Sequence, residues 1–101
     1  MYRTHNCGEL RIENVGEVVT LSGWVQKVRN LGAMAFIDLR DRYGITQITV
    51  EEHSSEAVKA AASEVGREYV LQVTGKVIER SSKNSKIATG DIEISATELK
   101  I

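Results

Sequence analysis

The stretch Ala33-Met34-Ala35-Phe36-Ile37-Asp38-Leu39-Arg40-Asp41-Arg42-Tyr43-Gly44-Ile45-Thr46-Gln47-Ile48-Thr49-Val50 reads as two strands joined by a turn at Asp41-Arg42-Tyr43-Gly44. Side chains alternate between the faces of a strand, so Ala35, Ile37 and Leu39 share one face and Phe36, Asp38 and Arg40 the other. Phe36 is the only phenylalanine of the chain, and it falls on the charged face. In the second strand, Thr46, Ile48 and Val50 point inward and Gln47 outward. The same pattern recurs in Asp91-Ile92-Glu93-Ile94-Ser95-Ala96, which buries Ile92, Ile94 and Ala96 and turns Glu93 outward. An outward aromatic ring flanked by an amide, a carboxylate and arginines has the chemistry to stack an unpaired base and hydrogen-bond its edge.

Outward from this hairpin, residues 1–17 form an N-terminal segment expected to pack on the rest, with a short helical turn around Ile12–Val15 closed by Gly16. Val18–Val28 is a long strand interrupted by Gly23, which marks a bulge or a sharp coil where one strand serves two neighbours. Asn30-Leu31-Gly32 is a turn signal that makes strands one and two a hairpin. A helix is predicted from Ser54 or Ser55 to Glu64, with Ala57, Val58, Ala61, Ala62 and Val65 at helical spacing and Gly66 as a stop. Tyr69–Ile78 is strand four, broken by Gly75; a polar loop covers Ser81–Lys86, and strand five runs from Asp91 to Leu99. Three strands, a helix and two strands, with a glycine inside strands one and four, predict an all-β domain with a small α contribution: the five-stranded Greek-key barrel of the OB-fold. Such barrels bind oligonucleotides across strands two and three and the loops joining strands one-two and four-five.

The composition is compatible with that and excludes several classes. The 101 residues are one domain, and the stretch is short for an enzyme. No apolar run approaches a membrane span, and no segment resembles a signal peptide. A single cysteine, Cys7, cannot form an internal disulfide, which makes a reducing cytoplasm the expected compartment. The net charge of −1 hides a polarity: Lys27, Arg29, Arg40 and Arg42 cluster around the first hairpin and Arg80, Lys83 and Lys86 in one loop, while Glu51, Glu52, Glu56 and Glu64 gather around the helix. One basic side on a neutral whole predicts weak nucleic-acid affinity that relies on specific contacts or on a larger parent.

The segments Arg3-Thr4-His5-Asn6-Cys7-Gly8-Glu9-Leu10, Gly23-Trp24-Val25, Leu31-Gly32, Phe36-Ile37-Asp38-Leu39-Arg40-Asp41-Arg42 and Ala88-Thr89-Gly90-Asp91-Ile92-Glu93, with Gly44 and Gln47, resemble the N-terminal part of bacterial aspartyl-tRNA synthetases. The resemblance covers essentially the whole chain. It implies the anticodon-binding OB domain of a class II aminoacyl-tRNA synthetase, with residues 1–101 a single domain and the parent's catalytic domain absent from them. The family's stacking phenylalanine matches Phe36, its base-reading glutamine and glutamate match Gln47 and Glu93, and its hairpin arginine matches Arg29. Asn84 aligns with a tRNA-contacting asparagine of the family, while Lys27 and Arg80 are read as general phosphate attraction or solubility rather than as sequence readers. Lys27-Val28-Arg29 carries an apolar residue where the family commonly has a third basic one, and the loop at Ser81–Lys86 is shorter than in many members. The implied partner is the anticodon stem-loop of a transfer RNA, GUC in its simplest form, and which residue reads which base stays open. The implied parent is a cytoplasmic, homodimeric aspartate–tRNA ligase using ATP and Mg2+, with no catalytic residue, cofactor or metal ligand in the present residues.

Against these stand plainer readings. Trp24 is expected as a core or bulge-filling residue, Arg40 as a structural ion pair with Asp38 or Asp41, and Cys7 as a small buried hydrophobe. His5 and His53 lack metal-ligand spacing, and strand alternation scatters Asp38, Asp41, Glu51 and Glu52, against a nuclease-like metal site. The alternative function is a general single-strand-binding or protein-interaction barrel; the former calls for more exposed aromatics and a more basic surface.

Overall fold

A computed structural model of the chain describes residues 3–31, 34–51, 56–64, 66, 69–81 and 83–100, and the side chains of residues 30, 31, 57, 61, 63 and 64 are outside the description. The strands are β1 (Val18–Leu31), β2 (Met34–Asp41), β3 (Gly44–Val50), β4 (Val70–Glu79) and β5 (Ile92–Lys100), with the helix α1 (Glu56–Glu64) between β3 and β4. They close in the order β1-β2-β3-β5-β4, with β4 returning to β1. This is the expected barrel. All pairings are antiparallel except β3–β5, a short parallel ladder of Ile48 with Ile94 and Thr49 with Ser95.

Period-two alternation builds the core. Ala35, Ile37 and Leu39 from β2, Leu71, Val73 and Val77 from β4, and Ile92, Ile94 and Ala96 from β5 are all buried. They meet Val19, Leu21 and Val25 of β1 and Ile48 and Val50 of β3 inside the barrel. The helix packs on β5 and β3 and buries Val58 and Ala62. The other apolar side chains read for its inner face, Ala57, Ala61 and Val65, and its proposed start at Ser54 or Ser55 lie outside the described residues, as does Gly32 of the first turn. Among the described residues no helix is long and apolar enough to cross a membrane.

Gly23 is the coil of the two readings offered above. Trp24 pairs at once with Arg40 of β2 and Val70 of β4, so β1 changes neighbours there. A Cβ on Gly23 would sit 2.3 Å from the backbone oxygen of Arg40, so the strands approach only because that carbon is missing. The β1–β2 bulge comes later, between Val25 and Lys27. Gly75 lies at the β4–β5 irregularity, where its Cβ would meet the Ser95 oxygen at 2.3 Å. Trp24 is not a core residue: the change of neighbours turns it outward, and it is 40 % exposed beside Tyr43 and Val70. Arg40 also departs from expectation. Its guanidinium donates to Gln26 Oε1 at 2.8 Å, and Arg3 instead lies 3.6 Å from Asp41.

The N-terminal segment is stitched to the barrel by hydrogen bonds, most of them between backbone and side chain. Thr4 and Thr20 exchange them, Thr4 N–H to Thr20 O and Thr20 N–H to Thr4 Oγ1, both at 2.8 Å. Asp41 accepts from the N–H groups of Cys7, Tyr43 and Gly44, so one carboxylate shapes the β2–β3 turn and anchors the segment together. Thr46 Oγ1 donates back to Cys7 O at 2.7 Å. Cys7 and Leu10 are thereby fully buried. The turn before β1 is a 3-10 helix over Ile12–Asn14, and Gly16 follows with φ +100, the left-handed conformation glycine tolerates.

Two outcomes follow. Gly23→Ala should destabilise the domain by more than about 2 kcal/mol in urea denaturation, because a backbone oxygen cannot move aside as a side chain can. A loss under half that would mean that the β1 change of neighbours does not depend on the missing Cβ. Burial, with the Asp41 carboxylate alongside, pushes the Cys7 thiol far above its ordinary pKa. The unfolded chain therefore loses this proton above about pH 8.5 while the folded chain keeps it, so stability is full below that pH and falls above it, by up to about 1.4 kcal/mol per pH unit. Urea midpoints of wild type and Cys7→Ala from pH 7 to 10 should converge as pH rises; parallel curves would refute the buried neutral thiol.

Candidate nucleic-acid interface

Antiparallel pairing fixes which outward side chains are neighbours. Arg29 of β1, Phe36 of β2 and Thr49 of β3 are successive cross-strand partners, and the parallel ladder continues that row to Ser95 of β5. Lys27, Asp38 and Gln47 form the next row, with Glu93 of β5 beside Gln47. Four strands thus bring together residues from 27 to 95 on one outer face, beside a cleft of about 280 Å³. Arg29, Phe36, Gln47 and Glu93 line it, as does Arg80 from the segment after β4.

Inside the cleft three side chains form one chain of bonds. The Arg29 guanidinium lies 5.3 Å from the Phe36 ring centroid and donates through Nη2 to Gln47 Oε1 at 3.0 Å. Gln47 Nε2 donates to Glu93 Oε1 at 2.6 Å. The order is forced by chemistry, since guanidinium only donates and carboxylate only accepts, leaving one orientation for the amide between them. Gln47 retains one further N–H and one further lone pair, so it can still offer a donor and an acceptor to a ligand. Gln47 points to the outer face as expected, yet it is only 5 % exposed, because neighbours on both sides cover it. The cleft also balances its charges, Arg29 and Arg80 against Glu51 and Glu93. Unspecific electrostatic attraction for phosphate is therefore weak at its floor.

The remaining predicted positions sit around this centre. Lys27 is exposed on the same face, opposite Asp38. Asn84 does not line the cleft: its Oδ1 accepts from Lys86 N–H at 3.0 Å and its N–H donates to Gly90 O, which folds the β4–β5 loop on itself. Lys83 pairs with Glu79 at 2.5 Å on the open surface. Four cleft residues escaped the sequence reading: Met34, Thr49, Glu51 and Ser81. Thr49 was legible, since it shares the parity of Gln47; Ser81 was not, because loop geometry decides its place. Of the residues considered for a metal site, Asp41 is committed to backbone N–H groups and Glu51 accepts from Ser95 Oγ, while Glu52 and His53 lie outside the described residues.

Gln47→Leu tests the bond chain. It removes a buried amide held by two charged partners and should cost about 1–3 kcal/mol in urea denaturation. An unchanged or raised stability would mean that the amide is solvated rather than tied.

Comparison with known proteins places this geometry among relatives. Residues 19–101 match the family model described as an OB-fold nucleic acid binding domain. The aspartate–tRNA ligase of Amoebophilus asiaticus is 57 % identical over 102 residues, covering 100 % of this chain and 18 % of its own length. That of Bacteroides thetaiotaomicron is 56 % identical, covering 100 % of this chain and 17 % of its own. The chain therefore spans less than a fifth of these relatives. Among solved structures, asparaginyl-tRNA synthetase from Pyrococcus horikoshii complexed with asparaginyl-adenylate is similar with a TM-score of 0.83, at 28 % identity over 100 % of this chain and 22 % of its own. The OBody AM2EP06 bound to hen egg-white lysozyme is similar with a TM-score of 0.88, at 25 % identity over 100 % and 94 % of the two chains.

Proposed function

The chain belongs to the OB-fold nucleic acid binding domain family, and we propose that it is the anticodon-binding domain of an aspartate–tRNA ligase whose outer-face cleft reads the unpaired anticodon GUC. The observation that carries this reading is the Arg29–Gln47–Glu93 bond chain lying beside the Phe36 ring. It offers a flat surface, a donor-acceptor amide and a carboxylate within one cleft, which is what an unstacked base requires.

In this mechanism a loop base stacks on the Phe36–Arg29 pair, contributing about 1–3 kcal/mol per base. Gln47 and Glu93 then test base edges. Glu93 accepts from an amino or imino N–H, as on guanine or cytosine, and Gln47 uses its spare donor and acceptor. A wrong base leaves the spare N–H or lone pair of Gln47, or the spare lone pairs of the half-buried Glu93, without a partner, a penalty of about 1–3 kcal/mol. Lys27, Arg80 and Asn84 contact the loop around the bases and hold its backbone, positioning rather than specifying. In the parent, a cytoplasmic homodimer, binding here presents the acceptor end of the tRNA to a distant site where ATP and Mg2+ activate aspartate. The present residues supply recognition and no step of that chemistry.

The test is a fluorescence titration of a GUC anticodon stem-loop, and of a loop with the three bases permuted, against wild type and Phe36→Ala. Wild type should prefer GUC, and Phe36→Ala should weaken that binding by about tenfold or more, the equivalent of 1.4 kcal/mol. Binding indifferent to permutation and to Phe36, fading with salt, would leave a general single-strand-binding barrel. Absent binding would turn attention to a protein partner.

A further inference from the structure

Thr49 differs from every other buried polar residue described. Five such residues are buried: Thr20, Thr46, Gln47, Thr49 and Thr89. Thr20 Oγ1 bonds Thr74 Oγ1, Thr46 Oγ1 bonds Cys7 O, Thr89 Oγ1 bonds Ile45 O, and both ends of the Gln47 amide are engaged. Thr49 is 1 % exposed, and its Oγ1 has no hydrogen-bond partner among the described residues. A buried hydroxyl left unpaired costs free energy that valine, nearly the same shape, would avoid. A second group in the same cleft shares this condition: the Nε of Arg80 is buried and also without a partner. Two orphaned donors in one cleft mark a place where a ligand supplies the acceptors.

Position narrows the ligand group. Thr49 is the cross-strand partner of Phe36, lies one row from Gln47 and Glu93, and lines the cleft with them. Arg80 Nε–H can only donate, and a hydroxyl also donates, so the atoms both groups lack are acceptors. We infer that Thr49 is a specificity-determining residue of this cleft, its hydroxyl donating to an exocyclic carbonyl oxygen of an anticodon base. Guanine, uracil and cytosine each carry such an oxygen; adenine does not. The inference rests on the proposed reading of the cleft as an anticodon site, and it adds a contact that strand three makes besides Gln47.

The experiment compares wild type, Thr49→Val, Thr49→Ser and Phe36→Ala in thermal melts and in titrations with the GUC stem-loop and with three loops each carrying adenine at one anticodon position. Thr49→Val should melt no lower than wild type, yet bind GUC about three- to tenfold more weakly, the scale of one hydrogen bond. Thr49→Ser, which keeps the hydroxyl, should bind within twofold of wild type. At one anticodon position the wild-type penalty for adenine should shrink in Thr49→Val, because the contact is already lost. A lower melting temperature for Thr49→Val would show an internal partner and overturn the inference. So would unchanged GUC binding by Thr49→Val, or an adenine penalty unaltered at all three positions, while Phe36→Ala still loses affinity; the anticodon reading would then stand without Thr49. If the wild type does not discriminate GUC at all, both fall together.

Discussion

The short parallel pairing of β3 with β5 is the constraint on which the rest depends. Two residue pairs, Ile48 with Ile94 and Thr49 with Ser95, close a sheet that would otherwise end in two open edges. Closure gives the apolar faces of all five strands one shared interior. It also carries Glu93 to within hydrogen-bond distance of Gln47, although 46 residues separate them in the chain. Every other element serves this closure. The missing Cβ at Gly23 lets β1 pass from one neighbour to the other, and that at Gly75 lets β4 and β5 approach closely at the irregularity in their ladder. A loop-closure cost accompanies such long-range pairing, and it is offset by the burial of Ile48 and Ile94 on the inner side of the same ladder.

The two surfaces of that seam do different work. On the inner side packing is apolar and complete. On the outer side β3 buries two polar residues, Gln47 and Thr49. Burial strengthens the Arg29–Gln47–Glu93 chain by removing competing water, and it makes any imperfection more costly. Such a site is stiff before a ligand arrives, so little ordering entropy is lost on binding.

Charge completes the picture. A domain of net charge −1 attracts a polyanion weakly as a whole, and the cleft itself sets two arginines against two glutamates. Affinity without long-range attraction suits a recognition module in the OB-fold nucleic acid binding family whose relatives extend far beyond this segment. Elsewhere on the surface Trp24, Tyr43 and Val70 are exposed together, with the Arg3 guanidinium 5.4 Å from the Tyr43 ring.

The amino-acid sequence by itself determined the strands, the helix and the closed barrel, because period-two alternation in β2, β4 and the first half of β5, helical spacing in α1 and two internal glycines are local signals. It also determined that Phe36, Gln47 and Glu93 face outward, since parity along a strand needs no knowledge of its neighbours. Tertiary structure alone decided what surrounds those residues. That Gln47 is buried though outward-facing, that Arg29 reaches both it and the Phe36 ring, and that Arg40 turns to Gln26 rather than to a neighbouring aspartate follow from register between strands. Trp24 was misjudged for the same reason: only the change of neighbours in β1 turns it out of the core. A strand's own pattern says which side a residue takes; the partners across the sheet decide whether that side is water or protein.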